Sequence, residues 1–217
     1  MIKAFIFDNE NVIVHSDWDG VARSVSEMFH VPLENGPAFK RRLREIKDAT
    51  GGILLERWST AQISREEFWG SALATYGLEP TLHNIERMSS ALENLAQTVQ
   101  PEMLHLLTDL KTQYKLFLLS NSTPEIEVGI RQRHSYLDFF DAVYFSHRTG
   151  VRKPHADAYL TVLHENRLQP RECIFIDDGK KNCESARQLG IPAIQYRYEQ
   201  TPVRLREKFT TALNSYR

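Results

Sequence analysis

The chain has 217 residues and a formal net charge of −1, from 27 Lys and Arg against 28 Asp and Glu. That length fits one domain or a domain carrying an insertion; with 41% hydrophobic residues it can bury a core without disulfides or structural metal, and its near-neutral charge makes it a poor electrostatic partner for nucleic acid or an anionic membrane. Two cysteines, Cys173 and Cys183, exclude a disulfide scaffold, no run reaches the ~18 apolar residues of a membrane span, and the apolar start meets Asp8 too early for a signal peptide, so a cytoplasmic protein is expected.

The first predicted element is a buried strand, Ile2–Phe7. Residues 17–95 then carry helical periodicity and no convincing strand. Phe39, Leu43 and Ile46 form one stripe, and Phe68, Leu73 and Tyr76 lie on a second helix. Ser64 with Glu67 three residues on is a capping-box signature for that helix, and Gly51-Gly52 and Gly77 mark turns. Lys40-Arg41-Arg42 with Arg44 and Lys47 reads as a solvated helix face. From Pro101 onward helices alternate with strands at Lys115–Leu119, Ala142–Phe145, Cys173–Ile176 and Ala193–Tyr196. Pro101, Pro124 and Pro154 each open a helical pattern, a position where the missing amide costs nothing. The strands are almost continuously apolar, as strands covered on both faces are. The expectation is an α/β fold: a doubly wound, Rossmann-like parallel sheet from residues 1–16 and 96–217, with 17–95 as a small helical insertion after the first strand.

The informative polar residues follow the strands: Asp8 the first, Ser120-Asn121 the second, Asp177-Asp178 the fourth. In open α/β sheets ligands bind outside the carboxyl ends of the strands, so these groups converge if the sheet is parallel. Each has a plainer reading: Asp8 to Asn11 as a turn, and Asp177 or Asp178 as a cap for a helix near Lys180. Adjacent carboxylates repel, however, and a third at a neighbouring strand end calls for a cation; hard oxygen ligands in an open site suit Mg²⁺. Lys153 precedes Pro154 at a predicted helix N-terminus, where a cation is disfavoured by about 0.3–1 kcal/mol; a bound anion reverses the sign. Thr123 is better placed than Ser120 or Asn121 to cap the helix at Pro124. That leaves the latter two as donors for a phosphate cradle.

Four ordered motifs carry a resemblance: Phe5-Ile6-Phe7-Asp8 with Asn11-Val12-Ile13; Leu118-Leu119-Ser120-Asn121; Arg152-Lys153-Pro154; and Phe175-Ile176-Asp177-Asp178 followed by Asn182, Ala186 and Leu189-Gly190. In these the chain resembles the haloacid dehalogenase-like superfamily, and most closely its small sugar-phosphate phosphatases with an Asn-Val-Ile first motif. The match covers about residues 1–16 and 96–200, and residues 17–95 match the helical cap in position and length. The resemblance implies a Mg²⁺-dependent phosphomonoesterase acting on a small phosphorylated metabolite. Asp8 is then the nucleophile, and Mg²⁺ is held by Asp8, the Glu10 backbone carbonyl and Asp178. Asp177 orders metal-bound water or Lys153. Ser120 and the Asn121 amide hold phosphoryl oxygens, and Lys153 stabilises the transition-state charge.

Glu10 departs from the common pattern, which has aspartate two residues after the nucleophile as general acid and base. Glutamate has the right chemistry, with a proton displaced by about a bond length. Alternatives of the same fold are a phosphomutase, a metal-free haloacid dehalogenase, which leaves Asp177 and Asp178 unexplained, and a non-catalytic binding or regulatory member. The sequence holds no Gly-x-x-x-x-Gly-Lys-Ser/Thr, Gly-x-Gly-x-x-Gly or Gly-x-Ser-x-Gly signature. Cys173 and Cys183 have no case for catalysis, His15 reads as surface or packing, and Trp69 as core. Trp18 and Trp58 are candidates for facing substrate, and specificity is expected in the loop around Lys47–Ser59.

Overall fold

The computed structural model describes residues 1–32, 34–198 and 202–215. The chain divides into two compact units: Met1–His15 with Thr98–Asn121 and His134–Arg217, and Ser16–Gln97 with Ser122–Arg133.

The first unit is built on a five-stranded sheet of β1 (Ala4–Phe7), β4 (Lys115–Ser120), β5 (Ala142–Phe145), β6 (Cys173–Asp177) and β7 (Ala193–Gln195), with the helices α6 (Pro101–Lys111), α8 (Ser146–Thr149), α9 (Ala156–Glu165) and α10 (Lys180–Gln188) between strands. Its strand order is β5-β4-β1-β6-β7, and every pairing is parallel. The expected doubly wound α/β class is what forms. Chain order runs outward from β1 through β4 to β5, then resumes on the other side of β1 with β6, so strand order reverses at β1. The four residues of β1 are fully buried, because both faces are covered. Ala4 and Ile6 pack with Phe117, Tyr159, Val162 and Phe175. On alternate positions the Phe5 and Phe7 rings meet Phe209 of α11 (Pro202–Ser215), at 4.8 and 6.2 Å between centroids. Fully burying a side chain of this size contributes about 1.5–3 kcal/mol, so β1 is firmly held up to its last residue.

The second unit is helical: α1 (Trp18–Phe29), α2 (Gly36–Glu45), α3 (Leu54–Trp58), α4 (Arg65–Ala74), α5 (Leu82–Ser90) and α7 (Pro124–Arg133). Phe39, Leu43, Trp58, Phe68, Trp69 and Leu73 lie in one buried cluster. Ser64 caps its helix as expected, accepting from the Glu67 amide at 3.1 Å; Asp17 and Thr81, which the sequence analysis does not single out, do the same for α1 and α5.

Four expectations are corrected. Residues 122–133 were expected with the sheet, but α7 belongs to the helical unit. Gly129 lies so close to the backbone of Glu93 that a Cβ there would sit 1.8 Å from its carbonyl oxygen, and Arg133 donates to Glu93 and Asn94. The helix expected at Pro154 begins at Ala156, with His155 at its cap position. Thr123 does not cap α7, since its buried hydroxyl has no hydrogen-bond partner. Tyr76 lies past the end of α4, which stops at Ala74. Two further strands, β2 (Val14–Ser16) and β3 (Ala96–Val99), pair with each other; at three and four residues they are too short to leave a periodic signal in the sequence.

Candidate active site

Asp8 and Asp177 each sit one position past the residues, Phe7 and Ile176, that pair β1 with β6. Parallel register therefore sets their carboxylates side by side at the point where strand order reverses. Between them runs the Lys153 side chain, 1% exposed, with Nζ 2.6 Å from Asp8 Oδ1 and 2.7 Å from Asp177 Oδ2. An ammonium this deeply buried costs several kcal/mol unless paired. Here both partners are acidic, and the Phe175 ring lies 5.5 Å from Nζ. Asp178 is half-buried, and one oxygen each of Asp8, Asp177 and Asp178 lie within 4.8 Å of one another. Ser120 ends β4 beside β1 and is buried.

The electrostatics are those of an overcrowded anionic cluster. Burial, then the Asp177 charge, push the Asp8 carboxyl well above the usual carboxylate range, while Lys153 pulls the other way. For Lys153 the largest influence is burial, which favours the neutral amine, but Asp177 and Asp8 outweigh it and the net shift is upward. Three carboxylates converge around one ammonium, and hard oxygen donors grouped in this way fit Mg²⁺. Asp177 already accepts from Lys153, from the Gly179 amide at 2.7 Å, and from Asn182 Nδ2 at 2.9 and 3.1 Å. Both Asp177 oxygens are thus occupied by protein donors.

Residues 2–190 match the model of the haloacid dehalogenase-like hydrolases. The chain belongs to that family. It is 24% identical over 221 residues to a D-ribitol-5-phosphate phosphatase of Bacteroides thetaiotaomicron, a match covering 99% of this chain and all of the relative. Among solved structures, a predicted hydrolase of the family from Porphyromonas gingivalis superposes with a TM-score of 0.74 at 25% identity, covering 97% of this chain and 98% of that one. A family enzyme of B. thetaiotaomicron, in complex with magnesium and inorganic phosphate, shares the fold with a TM-score of 0.75 at 20% identity, over 93% and 97% of the two chains.

Within this hydrolase the side chain of Asn121 is not a free donor. Its Nδ2 donates to the Lys153 carbonyl at 2.7 Å, and its Oδ1 accepts from the Lys153 amide at 2.9 Å. Both ends of one amide thus clamp the lysine backbone. Lys153 likewise does not sit against a helix dipole; two carboxylates, not a helix end, determine its environment. Asn182 belongs to the site by holding Asp177, and its own carbonyl accepts from Tyr159 Oη at 2.9 Å. Glu10 is half-buried at the mouth of the loop after β1, its backbone bridged to Val14. Trp58 does not face a ligand: it is 3% exposed, stacked on Phe68 at 4.7 Å and 3°. Trp69 is core. Trp18 is partly buried against the helical core, under Lys40. His15 is exposed beside the Tyr198 ring, 5.4 Å away. Burial pushes the thiols of Cys173 and Cys183 up to about 12, so neither is a nucleophile. Signals for Asn121 and Asn182 existed, since one is a polar residue just past β4 and the other a polar residue on the helix after β6, but their partners are 32 and 5 residues away and sequence does not select them.

Proposed function

We propose that this hydrolase is a phosphomonoesterase for a small phosphorylated polyol or sugar, working through an aspartyl-phosphate on Asp8. The observation that carries the reading is the buried Asp8–Lys153–Asp177 network at the strand-order reversal. It fixes a carboxylate and an ammonium where a phosphoryl group entering the crevice meets both. The full-length similarity to a D-ribitol-5-phosphate phosphatase supports the substrate class.

In the first step a carboxylate oxygen of Asp8 bonds to phosphorus and the bond from phosphorus to the substrate oxygen breaks. The Glu10 carboxyl gives its proton to the departing alkoxide. In the second step Glu10, now a carboxylate, takes a proton from water as the water oxygen bonds to phosphorus, and the Asp8–phosphorus bond breaks to release inorganic phosphate. Lys153 stays protonated throughout and follows the phosphoryl charge; Asn121 holds its backbone and Asp177 its ammonium. Ser120 and the Asn121 main-chain amide bind phosphoryl oxygens. Mg²⁺, when held by Asp8, the Glu10 carbonyl and Asp178, supplies positive charge that lessens repulsion between the nucleophile and the phosphate.

The test is phosphate release from ribitol 5-phosphate and a panel of sugar phosphates, with and without Mg²⁺. Release that depends on the metal supports the reading. Release of chloride from 2-chloropropionate without metal, and none of phosphate, would make the chain a dehalogenase. Glu10→Gln sharpens the assignment of the acid. It is expected to slow sugar-phosphate hydrolysis by about 10²–10⁴-fold and to slow para-nitrophenyl phosphate, whose leaving group needs no proton, far less in a single turnover. Equal loss on both substrates would move Glu10 out of the acid role.

A further inference from the structure

The loop that carries Glu10 is held from behind. Beyond β1 the chain turns on Asn9, whose carbonyl accepts from the amides of Val12, Ile13 and Val14 at 3.2, 2.9 and 3.2 Å. Asn11 takes the left-handed conformation, φ 59°. The Asn9 side chain points into the protein, 2% exposed, and its Oδ1 accepts a 2.6 Å hydrogen bond from Tyr136 Oη. Tyr136 is equally buried at 2% and opens the 3-10 turn Tyr136–Phe139. That turn is itself pinned: Leu137 and Phe140 are buried, and the Phe140 ring meets Phe7 of β1 edge-on at 6.1 Å.

From this arrangement we infer that Tyr136 is a positioning residue: through Asn9 it sets where the Glu10 carboxyl delivers its proton. The inference rests on the aspartyl-phosphate reading above. Asp8 does not depend on this anchor, because its amide donates to the Ile176 carbonyl at 2.8 Å and its carboxylate is held by Lys153. Glu10 lies beyond the strand, and the residue joining it to Asp8 is the one that Tyr136 holds. Burial, working with the nearby Asp8 charge and against the Asn9 bond, keeps the phenol above its ordinary range, so it remains a neutral donor throughout the working pH range. Proton transfer is sensitive to placement: a shift near 1 Å costs up to about 10²-fold. A loosened Asn9 should therefore damage the step that needs the proton and spare the one that does not.

The experiment is Tyr136→Phe, which deletes only the hydroxyl, measured in single turnovers on ribitol 5-phosphate and on para-nitrophenyl phosphate, alone and combined with Glu10→Gln. Expected is a loss of about 10- to 100-fold on the sugar phosphate with KM little changed, and a loss below about threefold on the aryl ester. In the Glu10→Gln background, removing the hydroxyl should cost nothing further, because residues acting as one unit are not additive. Equal losses on both substrates, or a full additional loss in the double variant, would overturn the inference and leave Tyr136 a structural support. So would an unchanged rate, or a Tyr136→Phe chain that does not fold. A wild-type chain that releases phosphate from neither substrate would remove the phosphatase reading and this inference with it; an active wild type with an indifferent Tyr136→Phe would remove this inference alone.

Discussion

Each unit buries two carboxylates, Asp8 and Asp177 in one and Glu125 and Glu127 in the other, and Asp8 and Glu125 are held differently. In the sheet unit Asp8 has an ammonium at 2.6 Å, and that ammonium has a second carboxylate, Asp177, with Asn182 and Gly179 behind it. In the helical unit Glu125, 7% exposed, receives the Trp69 indole N–H at 3.1 Å and has the Arg65 guanidinium only at 3.8 Å; its Oε2 has no hydrogen-bond partner. Both carboxyls are pushed upward, burial being the largest cause for each. The surroundings then diverge. Around Asp8 the protein supplies a cation that it shares with a second buried carboxylate. Around Glu125 it supplies a neutral donor, a site that suits the protonated acid. Burial alone therefore does not mark a functional acid; the charge arranged around it does.

The comparison can be broken at several points. The largest effect is expected from Asp8→Asn, which keeps the side-chain shape and removes the nucleophile: phosphate release should fall to the assay background. Thermal unfolding should occur at the same temperature or higher, because a like-charge cluster loses one member. A substantial residual rate would show that Asp8 does not attack phosphorus.

Lys153→Met comes next. It leaves two buried carboxylates without their cation, and breaking a buried pair in this way typically costs about 3–5 kcal/mol. Denaturant unfolding measures it. The double variant Asp8→Asn/Lys153→Met should recover part of that loss, since fewer charges remain stranded. If Lys153→Met unfolds like wild type, the network contributes nothing to stability.

Glu125→Gln is expected to have the smallest effect, and of opposite sign. A carboxyl whose folded-state pKa is raised gives stability that is fully present below the unfolded value, near 4.5, and is lost as pH rises through the folded value. Gln keeps the acceptor for Trp69 and cannot ionise. Its unfolding free energy should match that of wild type at low pH and exceed it above this window by up to about 1 kcal/mol. A variant less stable than wild type at pH 8 would mean that the charge on Glu125 is used, through Arg65, after all.

Much of the site was legible before any fold was known. Asp8, Ser120, Asp177 and Asp178 are each the polar residue that ends an apolar run, and Lys153 was conspicuous as a cation in an unfavourable place. The part that misled was local capping logic. Thr123 looked like a cap and is an unpartnered hydroxyl; Asn121 looked free and is bound at both ends to Lys153; Trp58 looked available and is stacked into a core. For Asn121 and Trp58 the competing partner lay elsewhere in the chain.

The sequence by itself determined the strands, their burial on both faces and the chemistry at their ends, because apolar runs and strand-terminal polar residues are signals written within a few neighbouring positions. Only the tertiary structure decided which donor meets which acceptor. That Lys153 lies between Asp8 and Asp177 follows from the parallel register of β1 and β6. That α7 joins the helical unit follows from the close approach of Gly129 to Glu93. That Tyr136 reaches Asn9 across 127 positions follows from where a short turn is pinned against β1. Hydrogen bonds and ion pairs are short-ranged in space and indifferent to sequence separation, so residue type announces the capacity to bond and only the fold selects the partner.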